Sequence, residues 1–172
     1  MIHDGWSERI GAFRLPGYAD LPDMGLYLEQ AAQYVNLCLG PLGCEEITGS
    51  MIRNYVKMGL VANPVRKQYF ADHIAHIMCI ALMKHAVPLD QIALLFRMQQ
   101  KVYPVPVAYD YFCTELKNVL DCRFGLKRAL DDVGVTHTLE KEMLRSVITA
   151  VSHIIYVNAC LEQISKKGEP VG

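Results

Sequence analysis

The sequence predicts a mainly α chain, with one short basic segment interrupting the helical order and a C-terminal helical region after it. Three observations carry this. Apolar residues recur at three- and four-residue spacing along most of the chain, the period of one helix face. Glycine and proline fall between these stretches, at Gly40-Pro41, Gly59, Pro88 and Tyr103-Pro104-Val105-Pro106, where they punctuate rather than interrupt. Residues 61–70 lack the helical period and contain Pro64, which suits an edge ribbon better than a central strand.

The elements run in order. Residues 1–22 read as an irregular arm, broken at Pro16-Gly17 and Pro22. Asp23 can cap a helix to about Leu39, with Leu26, Leu28, Ala31, Ala32, Val35, Leu37 and Leu39 as its apolar stripe. Thr48 caps a second helix, Gly49 to Met58, and Gly59 stands at its C′ position. A short extended stretch, Val61 to Phe70, leads to a third helix over about Asp72–His85. Pro88 opens a fourth, ending near Met98. The two prolines at 104 and 106 predict an extended linker, then helices over about Val107–Asp121 and Leu139–Ser165, with a further short helix possible around 125–135. The domain reading is an arm (1–22), a helical unit (23–98) and a C-terminal helical bundle or dimerisation region (99–172).

The chain has 172 residues, 52% hydrophobic and 20% charged. That is a globular composition, sufficient for one domain or a small unit with a helical extension. No uninterrupted apolar run reaches the length of a membrane span, and the N-terminus lacks the apolar region of a secretory signal. A cytoplasmic location without membrane association is expected. The six cysteines form no C-x-x-C pair and read as buried free thiols.

Net charge is −1, but the charge is segregated. Residues 15–52 hold five acids and no Lys or Arg, whereas residues 47–71 hold Arg53, Lys57, Arg66 and Lys67 and no acid. Such a local block can engage phosphate in a near-neutral protein. With Arg53 at zero on a helical wheel, Lys57 lies at about 40°, Ser50 at about 60° and Asn54 at about 100°. Met51, Ile52, Tyr55, Val56 and Met58 occupy the other side. One face offers two cations, an amide and a hydroxyl, the groups that bond base edges and phosphates in a major groove. Tyr55 is expected to add its hydroxyl to a phosphate, and Arg66 and Lys67 to bind the backbone.

The order Arg53, Tyr55, Gly59-Leu60, Pro64, Lys67-Gln68-Tyr69, Ile74 and His85-Ala86-Val87-Pro88-Leu89-Asp90-Gln91-Ile92 resembles the MerR family of bacterial regulators over residues 47–98. The resemblance implies a winged helix-turn-helix with a short β wing, a recognition helix at 49–58, a wing at 61–70, double-stranded DNA as partner and homodimerisation through C-terminal helices. The Leu15-Pro16-x-Tyr18 opening looks like that of an uncharacterised bacterial family within the same superfamily. A protein-interaction module that keeps the winged fold without binding DNA is the alternative, motivated by the shortened wing and the acidic first helix.

Other constellations point less far. His73, His76 and Cys79 succeed one another at three-residue spacing, but the outer two are ~9 Å apart by helical rise, so no metal site is expected. Cys113 and Cys122, nine apart, face opposite ways on a continuous helix. Tyr103, Tyr109, Tyr111 and Phe112 either line a pocket for an unknown small-molecule effector or seat the linker on the core. The last helix has an apolar arc wide enough for a bundle centre or a dimer seam. No Gly-rich phosphate loop, G-x-S-x-G or H-E-x-x-H occurs. Neither catalysis nor a cofactor is expected.

Overall fold

A computed structural model describes residues 4–134 and 136–167. The described residues form seven α-helices and no strand: α1 (Asp4–Ala12), α2 (Leu28–Leu39), α3 (Gly49–Lys57), α4 (Ala71–Met83), α5 (Leu89–Gln100), α6 (Val105–Arg123) and α7 (Leu139–Lys167). The mainly α class is as the sequence predicts.

The centre is α4. Ten of its residues, from His73 through Met83 except His76, are buried. A helix apolar all round must be covered all round, and α2, α5, α6 and α7 all pack on it. The long helices α6 and α7 form the most extensive pair. Inward-facing Ile148, Val151, Ser152, Ile155 and Ala159 on α7 are buried, spaced as one helical face. The C-terminal helices therefore form part of a bundle. A second stripe on α7, Val157, Leu161 and Ile164, is 42–55% exposed. By length and composition α7 could cross a membrane, with a mean hydropathy of 1.4 over its most apolar 18 residues; polar Thr149, Ser152, His153 and Asn158 divide its apolar run.

Several expectations are corrected. The arm is not irregular, because residues 4–12 form α1, where Trp6 and Ile10, then Phe13 beyond its end, are buried. Trp6 stacks on Phe124 at 6.2 Å, and Lys117 Nζ donates to the Ile10 carbonyl at 2.8 Å at the C-terminal end of the helix, where a cation is favourable. The first predicted helix starts at Leu28 rather than after Asp23, because Leu26 exchanges backbone hydrogen bonds with Tyr69 (2.9 and 2.7 Å) and is held extended. Residues 99–106 form no extended linker. Pro104 caps α6 and Pro106 lies in its first turn, where the missing N–H costs nothing. Residues 125–134 contain no helix.

The largest correction concerns the β wing, which is absent among the described residues. Val65 and Gln68 exchange two backbone hydrogen bonds (3.0 and 2.9 Å), but the pairing ends there. Pro64 has no N–H to extend the ladder, and Tyr69 pairs instead with Leu26. The expected ribbon is a two-residue turn with Arg66 and Lys67 at its tip, at φ 50° and 64°.

Candidate nucleic-acid interface

The local sequence fixes α3 at three points. Thr48 Oγ1 accepts from the Met51 N–H at 3.2 Å, satisfying one of the helix's unpaired donors and contributing about 1 kcal/mol. Asn36 on α2 grips Ile47 with both ends of its amide, accepting from the N–H and donating to the carbonyl, each at 2.8 Å. Gly49 lies so close to α2 that a β-carbon there would stand 2.3 Å from Glu29 Oε1 and 3.1 Å from Leu28. At the far end Gly59, at φ 76°, supplies the left-handed residue that ends many helices.

This geometry sorts the predicted site residues. Ser50, Arg53, Asn54 and Lys57 are exposed along one side of α3, while Ile52 and Tyr55 are buried. Tyr55, at 2% exposure, is a core residue whose hydroxyl has no access to a phosphate. Burial, then the nearby Glu45 carboxylate, raises its pKa. The helical wheel separates the two faces except at Met58, which is 43% exposed at the C-cap, and a tyrosine on the apolar face belongs to the core. Arg66 and Lys67 are exposed at the turn tip.

The turn and α3 are neighbours. The Arg53 guanidinium acts on the phenol of Tyr69, lowering a pKa that burial otherwise raises, and Tyr69 lies just after the turn. Gly25 lets the Gln68 side chain lie against the backbone, since a β-carbon there would approach it within 2.7 Å. His73 anchors the turn from α4. Its Nδ1 accepts from the Phe70 N–H at 2.9 Å and its Nε2 contacts the Asn63 carbonyl at 3.1 Å. A carbonyl can only accept, so His73 is neutral with its proton on Nε2. Both nitrogens are thus committed to the backbone. Neither Asn36 nor His73 as a brace was legible, because each acts on backbone brought near by the fold.

Arg53, Lys57, Arg66 and Lys67 make no hydrogen bond or ion pair among the described residues. Arg97, Lys101 and Arg128 are likewise exposed without one, whereas Lys117, Lys127, Arg145 and Lys166 pair with Asp121, Asp131, Glu115 and Glu162. Arg9 and Arg123 cover Trp6 and Tyr156 at 4.1 and 3.7 Å. Two carboxylates nonetheless approach the acid-free stretch 47–71, Glu29 beside the first turn of α3 and Glu45 near Tyr55.

The remaining constellations resolve into structure. His76 donates through Nδ1 to the Asp72 carbonyl at 2.8 Å and meets Phe96 edge-on at 5.0 Å. Cys79 is buried, with its thiol pushed well up by desolvation. Burial likewise raises Cys44 and Cys113, to about 11 and about 12, so these thiols stay protonated at neutral pH. Tyr103, Tyr109, Tyr111 and Phe112 all line one cavity between α4, α5, α6 and α7.

Two histidines predict a pH dependence. Burial lowers the pKa of both His76 and His85. The unfolded chain, with imidazoles near ~6.5, therefore takes up protons before the folded one does. Stability is fully present above that value and falls as pH drops below it. The urea midpoint should decrease between pH 7 and 5, and His76→Phe should flatten that decrease.

The segment around Pro16 shows where the chain closes. Tyr109 Oη donates to the Pro16 carbonyl at 2.9 Å, the Tyr18 N–H donates to Asp110 at 2.7 Å, and Tyr18 Oη donates to Asp72 at 2.5 Å. Residues 16–112 match the family described as a domain of unknown function, DUF1836. The two ends of the match meet at these contacts. No curated protein and no solved structure matches the chain.

Proposed function

The chain belongs to the DUF1836 family of domains of unknown function, and from its exposed basic surface we propose that it is a DNA-binding transcriptional regulator of MerR-like helix-turn-helix type. α3 enters the major groove. Arg53 and Asn54 reach base edges, Lys57 and Ser50 reach bases or phosphates, and the turn at Arg66-Lys67 takes the adjacent backbone. Tyr55 has no part in the contact. The observation that carries this reading is the set of four exposed cations, on one helix face and the neighbouring turn, that make no hydrogen bond or ion pair among the described residues. A second feature supports it. Arg66 and Lys67 both hold positive φ, which costs a non-glycine residue about 1–2 kcal/mol. Strain of that kind gathers at functional positions, and here it presents two cations at a turn tip.

The test is a titration of genomic duplex fragments with the full chain at several salt concentrations. Three cations on phosphate, Lys57, Arg66 and Lys67, give a slope of log affinity on log salt of about −3 per protomer, doubled in a dimer. Salt-independent binding, or none, overturns the reading. Dimerisation belongs to the same proposal, with the exposed stripe Val157, Leu161 and Ile164 as its seam. Light scattering should give twice the 19.4 kDa chain mass, and Leu161→Asp should return it to the monomer.

A protein-interaction role is the second reading, favoured by the Glu29 carboxylate next to α3 and by a turn too short to track a groove. It predicts that Arg66→Glu with Lys67→Glu leaves function unchanged.

A further inference from the structure

We propose that the partly open cavity between α4, α5, α6 and α7 is a binding site for a small neutral aromatic molecule, of one or two fused rings, that carries a hydrogen-bond donor. The cavity measures about 190 Å³. A dry apolar cavity of ~150 Å³ holds one benzene ring, so this one has room for a little more. Its walls are almost wholly apolar. Phe96, Tyr103, Tyr111 and Phe112 offer ring faces and edges, and Met83 and Met143 adapt to an irregular outline.

Among the polar wall groups, His76 offers an acceptor. The His76 ring lines the cavity, and its Nδ1 is bound to the Asp72 carbonyl at 2.8 Å. Since that carbonyl only accepts, the proton sits on Nδ1 and Nε2 is left as an acceptor. Burial keeps the imidazole neutral. A hydroxyl or ring N–H on the occupant can donate to Nε2 while the ring body replaces water against the aromatic walls.

The rim disfavours an anion. Glu140 and Lys141 both reach the cavity, but the Lys141 ammonium is engaged by Thr136 Oγ1 at 3.0 Å and by the Tyr111 ring at 5.2 Å. The Glu140 carboxylate and the Lys141 ammonium offset one another, so the rim offers no net positive charge to hold an anion.

The inference does not rest on DNA binding, and its test contains no DNA. The full chain is titrated with 2-naphthol by calorimetry, and with 2-naphthoate and naphthalene for comparison. The expected result is saturable one-to-one binding of 2-naphthol. 2-Naphthoate should bind at least about tenfold more weakly, the order expected for burying an unpaired charge. Naphthalene should bind about fivefold more weakly, and His76→Phe should remove that difference, the worth of one net hydrogen bond. Ala108→Phe fills the cavity from α6 and should abolish binding with the helical circular dichroism unchanged. If that variant does not fold, Met143→Trp fills it from α7. Absence of saturable binding by the folded chain overturns the proposal. So does binding that survives a folded cavity-filling variant, or an anion bound as tightly as the alcohol.

Discussion

Arg53→Ala is expected to weaken binding to the preferred duplex by about 1–3 kcal/mol and to relax discrimination at one base position. The reasoning is geometric. Arg53 lies mid-helix on the exposed side of α3 and makes no ion pair among the described residues, so removing it disturbs nothing in the fold. Thr48, Asn36 and Gly49 still position the helix. Melting temperature should therefore be unchanged while affinity falls. Lys57→Ala is the contrast. A single flexible cation on phosphate carries no sequence information. Its loss should weaken all duplexes alike and reduce the salt slope by about one. The pair is checked by fluorescence anisotropy on the selected site and on a scrambled one. Equal losses for the two substitutions across both duplexes would place Arg53 on the backbone rather than on a base.

The fold was legible where periodicity and caps act locally. Thr48 and Gly59 bound α3 in the sequence and in the structure, Pro88 opens α5, and Leu139 begins α7. Legibility failed where a tertiary contact competes with local pattern. Trp6, Ile10 and Phe13 carry a helical spacing that the glycines at 5 and 11 and the proline at 16 obscured. Packing against α6 completes that helix. The wing looked like a ribbon because Val61 to Phe70 is extended and basic, but its pairing partner, Leu26, is some forty residues earlier. At the candidate interface the polar face was legible from the wheel. The burial of Tyr55 and the approach of Glu29 were not, since both depend on what α2 places against α3. The cavity was visible only as a cluster of aromatic residues, because a hollow needs four helices to line it.

The α6–α7 joint holds a large stability effect. Glu115 is fully buried on α6 and receives Arg145 Nε at 2.5 Å and Nη2 at 3.3 Å. The same Nη2 donates to the Asp131 carbonyl at 2.8 Å, and Asn118 holds the backbone of Asp131 at both its N–H and its carbonyl (2.9 and 3.0 Å). Two helices and the segment between them thus share one polar network inside an apolar joint. Arg145→Met leaves the carboxylate desolvated and uncompensated. Breaking a buried pair in this way costs about 3–5 kcal/mol. Since the Arg145 side chain is 30% exposed, the lower end applies, about 3 kcal/mol. That is a large share of the roughly 5–15 kcal/mol that holds a domain folded. Glu115→Leu combined with Arg145→Met should recover most of the loss, because replacing both charges with apolar groups removes the desolvation penalty together with the attraction. Urea denaturation of the two single variants and the double gives the coupling directly. A single Arg145→Met as stable as the parent would mean that Glu115 is buried without being charged. The joint also frames the cavity, since Met143 and Leu144, in the same turn of α7 as Arg145, form part of its wall. The single variant should for that reason lose 2-naphthol binding in parallel with stability, and the double variant should regain both.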